Sequence, residues 1–167
     1  MLHACERVLP PASTQYLSGT RLRRQLRATE SYLRAQDNYF AGEWAKALRY
    51  CDAAMEQTSD ENRKASLEHM QASVLRSKVL AHLDPSAAIR YTEEAMTLAS
   101  RSGLVWWYCE LSALRAIFLC SRENGTSVKR QCDGRVEFCK ALEASRKYVV
   151  PSSESFLTMS IAVSGLN

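Results

Sequence analysis

The side chains that could carry acid–base or nucleophilic chemistry are few in this chain, and their spacing matches no active-site pattern. The three imidazoles are His3, His69 and His82, and none has a second histidine at the spacing of a metal-binding helix. The sequence contains neither a glycine-rich phosphate loop nor a nucleophile elbow. We therefore predict that the chain is not an enzyme, and we predict no catalytic residue, no metal site and no cofactor.

Cysteine chemistry is the next candidate. The six thiols are at positions 5, 51, 109, 120, 132 and 139. Their spacings do not match a small secreted disulfide scaffold, no C-x-x-C pair occurs, and no secretory apolar segment stands at the N-terminus. We expect reduced thiols that behave as small buried apolar groups, Cys51 and Cys139 among them. This indicates an intracellular protein, with the cytoplasm first and the nucleus or mitochondrion as alternatives.

Three consecutive aromatic residues, Trp106, Trp107 and Tyr108, could anchor a partner. Successive helical positions are about 100° apart, so the three rings cannot all face one core. At least one ring should be exposed or meet another surface, and aromatic side chains are favoured anchors at protein interfaces. Packing under the loop 122–128 is the alternative.

The elements that must position these residues are helices. The chain has 167 residues, 46% hydrophobic and 24% charged, with only six Gly and four Pro, and no stretch approaches the roughly 18 apolar residues of a membrane span. Apolar periodicity, including Leu22, Leu26, Leu33 and Phe40 in the first helix, predicts a helical chain. The predicted helices cover about 20–40, 43–57, 61–82, 85–102, 104–121 and 128–148, with a seventh over 152–163.

Local signals mark the helix ends. Gly42 and Gly103 are predicted to end helices, and Asp84 followed by Pro85 is predicted to start one. The segment Thr58-Ser59-Asp60 is predicted to cap the third helix.

The chain divides into three predicted segments. These are an irregular segment 1–19, a repeat domain 20–148 of about three hairpins, and an apolar C-terminal helix or tail 149–167. The irregular segment is expected because Pro10-Pro11 and Ser18-Gly19 interrupt an early helix.

An internal repeat organises the middle segment. Residues 46–55 align without gaps to residues 87–96 at an offset of 41, with five of ten positions identical, and 134–142 form a fainter third copy. Ala47 and Ala54 are two helical turns apart and share a face. Small residues there allow a second helix to approach closely, while bulky apolar neighbours fill the space around the contact.

This pattern resembles the tetratricopeptide repeat (TPR) in its long variety of about 40 residues, over about residues 25–148. The residues that carry the resemblance, and that are predicted to pack the hairpins together, are Gly42, Trp44, Ala47, Leu48, Tyr50, Ala54 and Met55, then Ala88, Ile89, Tyr91, Ala95 and Met96, and finally Gly134, Phe138, Ala141 and Leu142. The repeat spacing exceeds the usual length of about 34 residues, and the proline that usually closes each repeat is missing. The resemblance implies an all-α fold of antiparallel helical hairpins stacked as a short TPR-like α-solenoid.

The same resemblance implies a protein-binding adaptor or scaffold. The first helix of each hairpin, over 25–40, 61–82 and 104–121, would line a groove for an extended or helical segment of a partner. The residues predicted to bind that partner are Arg34, Asn38, Ser73, Arg76, Ser77, Trp106, Trp107 and Arg115. Arg34 and Asn38 resemble part of the family's two-carboxylate clamp, but its later residues are absent, so a solvated face is the alternative.

Charge and hydropathy leave further hypotheses open. The net charge is +4, and basic residues concentrate in 21–27 and 129–147. These segments could serve a helical nucleic-acid-binding protein, although such proteins usually have a denser basic stripe. The acid-poor, arginine-bearing start resembles a mitochondrial presequence, which favours a structural subunit of a larger organellar assembly. The uncharged, apolar residues within 152–167 predict self-association, or a fragment of a longer stack.

Overall fold

The computed structural model describes residues 12–59, 66–120 and 128–147, with the backbone alone at 12–18, 120, 128–135 and 145. These ranges form six α-helices and contain no strand. The helices are α1 (Ala12–Phe40), α2 (Trp44–Thr58), α3 (Leu67–Leu83), α4 (Pro85–Arg101), α5 (Val105–Cys120) and α6 (Val128–Lys147). None of these six helices is long and apolar enough to cross a membrane. The predicted C-terminal helix and tail lie outside the described residues.

The helices pack in chain order, each against the next. In addition, α1 contacts α3 and α3 contacts α5, whereas α2 and α4 make no comparable backbone approach within the described ranges. The first helices of the three hairpins therefore form one layer, and the second helices lie behind it. This confirms the predicted all-α fold built as a repeat-like stack.

Two glycines make the turns that the sequence predicts. Gly42 has φ 76° and Gly103 has φ 67°, a left-handed conformation that L side chains rarely adopt. The backbone N–H that follows each glycine donates a hydrogen bond to a carbonyl near the end of the preceding helix. Glu43 N donates to Asn38 O at 2.8 Å, and Leu104 N donates to Ala99 O at 2.9 Å. This is the Schellman arrangement, which satisfies carbonyls left unpaired at a helix end.

Helix starts are only partly as predicted. Asp84 caps α4 by accepting a hydrogen bond from Ala87 N at 2.9 Å, which confirms the prediction. The predicted cap at Thr58-Ser59-Asp60 is wrong, because Ser66 caps α3 instead. Thr58 is the last residue of α2, where its buried hydroxyl bonds back to Ala54 O and lies 2.9 Å from Nδ1 of His69.

The predicted boundary of the N-terminal irregular segment is also wrong. Helix α1 begins at Ala12 rather than Thr20, so Ser18 and Gly19 lie inside it. A glycine within a helix costs only about 1 kcal/mol relative to alanine, and a helix of 29 residues accommodates one.

The apolar residues that predict α1 do not form its buried face. Leu22, Leu26, Leu33 and Phe40 are 57%, 61%, 53% and 81% exposed. The face packed against α2 and α3 instead carries the fully buried Ala28 and Ala35, with the partly buried Tyr32 and Tyr39 beside them. The predicted helix is confirmed, but the side that packs against α2 and α3 is not the side that hydropathy indicates.

The two alanine seams occupy equivalent places. Ala47 and Ala54 in α2, and Ala88 and Ala95 in α4, are all buried. Ala47 belongs to a buried cluster with side chains of α1 and α3, and Ala88 to one with side chains of α3 and α5. Leu48 packs against both clusters and so connects the first hairpin to the second.

The other predicted packing residues flank these seams. Trp44, Tyr50, Met55, Ile89, Tyr91 and Met96 are partly buried. In the third copy, Phe138 and Ala141 are buried against Ala113 and Ala116 of α5, with Leu142 beside them. Gly134 lies within α6, and its surroundings are outside the described side chains.

The seam yields a direct test. Ala47→Leu adds a larger side chain to a fully buried position, and overpacking of this kind costs about 1–3 kcal/mol. Ala45→Leu, on the exposed side of the same helix, should change stability by less than about 0.5 kcal/mol. Urea unfolding of both variants checks this, and equal midpoints for the two would contradict close packing at Ala47.

Candidate protein-binding groove

A groove runs over the layer of first helices. It has a volume of about 200 Å³ and is lined by side chains of α1, α3 and α5. The lining residues are Tyr32, Gln36, Tyr39 and Phe40 of α1, Gln71, Val74, Leu75 and Lys78 of α3, and Trp107 and Glu110 of α5. The helices that the sequence assigns to a groove are thus the ones that line it.

The groove combines an apolar floor with a few placed polar groups. Val74 and Leu75 are almost fully buried at its base, whereas Phe40 at its edge is 81% exposed. Lys78 Nζ lies 3.8 Å from Glu110 Oε1, which joins α3 to α5 along the lining. Gln36 and Gln71 also line the groove, so polar side chains that could orient a ligand surround the apolar floor.

An aromatic cluster lies where α1 ends, α2 begins and α3 ends. The rings of Trp44 and His82 are stacked, with centroids 4.0 Å apart and planes within 5°. Tyr39 packs edge-on against Trp44 at 5.3 Å and against Phe40 at 5.5 Å. These contacts hold Tyr39, a groove residue, between the first hairpin and the third helix.

The two tryptophans predicted to bind a partner lie in different environments. Trp107 lines the groove and packs against the core, with Tyr108 beside it. Trp106 is 46% exposed and is not part of the lining. The prediction that the three rings cannot all enter one core is confirmed.

Ser73 and Ser77 are wrongly predicted to bind a partner. Both are almost completely buried. Ser77 Oγ donates to the Ser73 carbonyl at 3.0 Å, and Ser73 Oγ accepts from the Tyr91 hydroxyl at 3.2 Å. Burial raises the pKa of Tyr91, so its hydroxyl stays protonated and remains a donor. Ser73 therefore forms a hydrogen bond between α3 and α4, and Ser77 forms one within α3.

Arg76 faces away from the groove, toward the second helices. Its Nε donates to Asp52 Oδ1 of α2 at 2.8 Å, and its guanidinium lies 4.2 Å from the ring centroid of Tyr91 in α4. One side chain therefore links two helices whose backbones do not approach each other closely. The prediction that Arg76 lines the groove is wrong.

Arg115 repeats this arrangement one hairpin later. Its guanidinium pairs with Glu93 of α4 and with Glu137 of α6, each at 2.8 Å. Both contacts border a depression of about 510 Å³ between α4, α5 and α6. Arg115 borders this depression and is not among the groove-lining residues, so the prediction that it lines the groove is wrong.

Arg34 and Asn38 lie on the side of α1 next to α2. Arg34 pairs with Glu30 at 2.7 Å and lies over the ring of Tyr50 at 5.9 Å, while Asn38 Nδ2 donates to the Arg34 carbonyl at 2.7 Å. Neither residue belongs to the groove lining. The structure therefore does not bring them together with α3 and α5 as a carboxylate clamp.

Cysteine environments differ sharply. Cys51 is fully buried; burial first, and then the Asp52 carboxylate, raises the pKa of its thiol to about 12, although Arg76 lowers it in part. Cys139 is exposed, contrary to its predicted place in an apolar pattern, since that face of α6 points away from α5. Across the described ranges, no three histidine, cysteine or acidic side chains cluster in a way that could hold a metal ion.

Known proteins supply no further guide to this groove. No protein-family model, curated protein or solved structure matches the chain.

Thiol reactivity follows from these environments. In the folded protein at pH 8, iodoacetamide should modify Cys139 and leave Cys51 unmodified, because a buried thiol with a pKa of about 12 forms little thiolate. Peptide mass mapping measures this. In urea both thiols should react at similar rates, and rapid modification of Cys51 without urea would contradict its position.

The arginine link is tested by Arg76→Met. Loss of a partly exposed ion pair and of a cation–π contact should lower the free energy of unfolding by about 1–2 kcal/mol. Arg49→Met, at an exposed position of α2, is the control. A double-mutant cycle with Asp52→Asn should give a coupling of about 0.5 kcal/mol, and zero coupling would contradict the ion pair.

Proposed function

We propose that this chain is a protein-interaction adaptor that holds a segment of a partner in the groove formed by α1, α3 and α5. The observation that carries the proposal is that the exposed ring of Phe40 lines the same groove as the buried apolar side chains of Val74 and Leu75. An aromatic ring beside a buried apolar surface can close over an apolar side chain of a ligand.

The size of the groove supports a peptide over a small molecule. Small-molecule pockets enclose about 300–1,000 Å³, and this groove encloses about 200 Å³. That volume suits one or two anchoring side chains of a longer segment that continues along the helices. An amphipathic helix or an extended segment with spaced apolar anchors fits this description.

The charges in the groove support a protein partner over nucleic acid. Lys78 and Glu110 stand on neighbouring helices and nearly cancel, whereas grooves that bind single-stranded nucleic acid are positively charged throughout. The exposed arginines 21, 23, 24 and 27 lie on α1 outside the groove lining. If the chain binds nucleic acid, these arginines offer a basic surface for it that is separate from the groove.

The proposed role is binding without catalysis, as an adaptor or scaffold subunit inside the cell. We place it in the cytoplasm first, with the nucleus and mitochondrion as alternatives. The buried, protonated thiol of Cys51 supports this role, since a protonated thiol is a poor nucleophile. A purely structural subunit would have the same fold and leave the groove unused.

A peptide selection tests the groove. Random peptides displayed on phage are selected against the full chain, and enriched peptides are measured by fluorescence anisotropy. They should carry apolar anchors, and Phe40→Ala should weaken their binding at least tenfold, because aromatic anchors dominate interfaces. Since Phe40 is 81% exposed, its loss should leave the fold intact, which circular dichroism checks.

The matched control is Leu67→Ala, an exposed apolar residue on α3 outside the groove lining, which should bind these peptides as the unmodified chain does. Peptides that bind equally to Phe40→Ala, or a selection that yields none, would contradict the proposal. Steeply salt-dependent binding to nonspecific RNA, with no enriched peptide, would favour the nucleic-acid alternative.

A further inference from the structure

Aromatic side chains line both walls of the groove. Within the described ranges, α1 and α5 each pack against α3 and not against each other, so α3 forms the floor between two walls. Tyr32, Tyr39 and Phe40 line the α1 wall, and Trp107 lines the α5 wall. Among the described residues, the Trp107 ring makes no contact with the rings of α1. The groove volume of about 200 Å³ therefore has aromatic rings on two sides.

A carboxylate stands on the α5 wall beside the tryptophan. Glu110 follows Trp107 by three residues, which places both on the same side of α5. Its side chain is 28% exposed, and the nearest cation, Lys78 Nζ, is 3.8 Å from its Oε1, beyond hydrogen-bonding distance. The carboxylate accepts no hydrogen bond from the described residues. It therefore keeps its acceptor oxygens for a ligand.

The charge of Glu110 acts across the groove. Burial raises the pKa of the Tyr32 hydroxyl on the α1 wall, and the Glu110 carboxylate raises it further. A hydrogen bond from the Gln36 amide, 3.0 Å from the Tyr32 oxygen, lowers that pKa in part, whereas Lys78 has no comparable influence on it. Between the two walls, the carboxylate is thus not cancelled by the lysine.

We propose that the groove binds an arginine of the partner segment, with its guanidinium on Glu110 and its plane between the aromatic walls. This inference rests on the proposed function and names the side chain that the groove selects. Cations are attracted to the faces of aromatic rings. A planar guanidinium can stack on such rings and also pair with a carboxylate through two N–H groups.

Other ligand side chains suit the groove less well. A carboxylate would match Lys78, but it would meet the negative faces of the rings and the like charge of Glu110. A purely apolar side chain would cover the Glu110 carboxylate and leave it without a hydrogen bond, which costs free energy. An arginine instead gives Glu110 hydrogen bonds, and the flexible stem of Lys78 allows its ammonium to turn toward solvent. The two groove charges should therefore affect arginine binding in opposite directions.

Probe peptides test the ligand chemistry. Fluorescein-labelled peptides share two leucines as apolar anchors and differ only at the central residue, which is arginine, lysine, citrulline or norleucine. Fluorescence anisotropy with the full chain measures their affinities at low salt. The arginine peptide should bind about tenfold more tightly than the citrulline peptide, because citrulline has nearly the same shape without the charge. The lysine peptide should lie between them, since an ammonium cannot stack or pair through a planar fork.

Charge variants locate the preference in the groove. Glu110→Gln should remove the preference for arginine over citrulline. Lys78→Gln should strengthen arginine binding severalfold, because it removes the cation that competes for the carboxylate. Glu94→Gln, at an exposed position of α4 outside the groove lining, is the matched control and should leave every affinity unchanged. Circular dichroism checks that each variant is folded.

Equal binding of the arginine and citrulline peptides, or a preference that persists in Glu110→Gln, would overturn the arginine site. If the same peptides still lose affinity in Phe40→Ala, the groove function stands without that site. An arginine peptide that does not bind at all also overturns the arginine site, and the phage selection then decides the groove function by itself.

Discussion

Helices can approach closely only where the side chains between them are small, and this chain meets that condition at two alanine seams. Ala47 and Ala54 in α2, and Ala88 and Ala95 in α4, are all buried. Because these residues add little volume, larger neighbours such as Leu48 can fill the space beside them and touch two clusters at once. The order of the stack depends on this close approach.

The seams also determine which surface is free to bind. With α2 and α4 held behind them, α1, α3 and α5 form a continuous layer, and its open side is the groove. On the reverse side, Arg76 joins α2 to α4 through an ion pair with Asp52 and a contact with the Tyr91 ring. Arg115 joins α4 to α6 through two ion pairs. Charged side chains therefore stabilise the back of the stack, whereas the groove side combines aromatic and apolar side chains with the Lys78–Glu110 pair.

The sequence predicts the parts of this structure that local chemistry decides. The glycine turns, the Asp84 cap and the repeated alanine seam depend on neighbouring residues alone. Orientation is harder to predict. In α3, small or apolar residues occur on nearly every side, so periodicity does not distinguish buried Ser73 and Ser77 from groove-facing Gln71 and Lys78. In α1 the leucines are exposed and the alanines are buried. The residues that indicate the buried side of α1 are Tyr32 and Tyr39, which are seven residues apart and pack beside Ala35.

The equivalence of the two seams is the central claim, and methyl nuclear Overhauser effects measure it directly. In a sample labelled at alanine, valine and leucine methyls, Ala47 should show cross-peaks to Ala35 of α1 and to Val79 of α3, its companions in one buried cluster. Ala88 should show cross-peaks to α3 and to Leu114 of α5. Cross-peaks from both alanines to both flanking helices are the predicted result. An Ala47 or Ala88 methyl that contacts only one neighbouring helix would contradict the account.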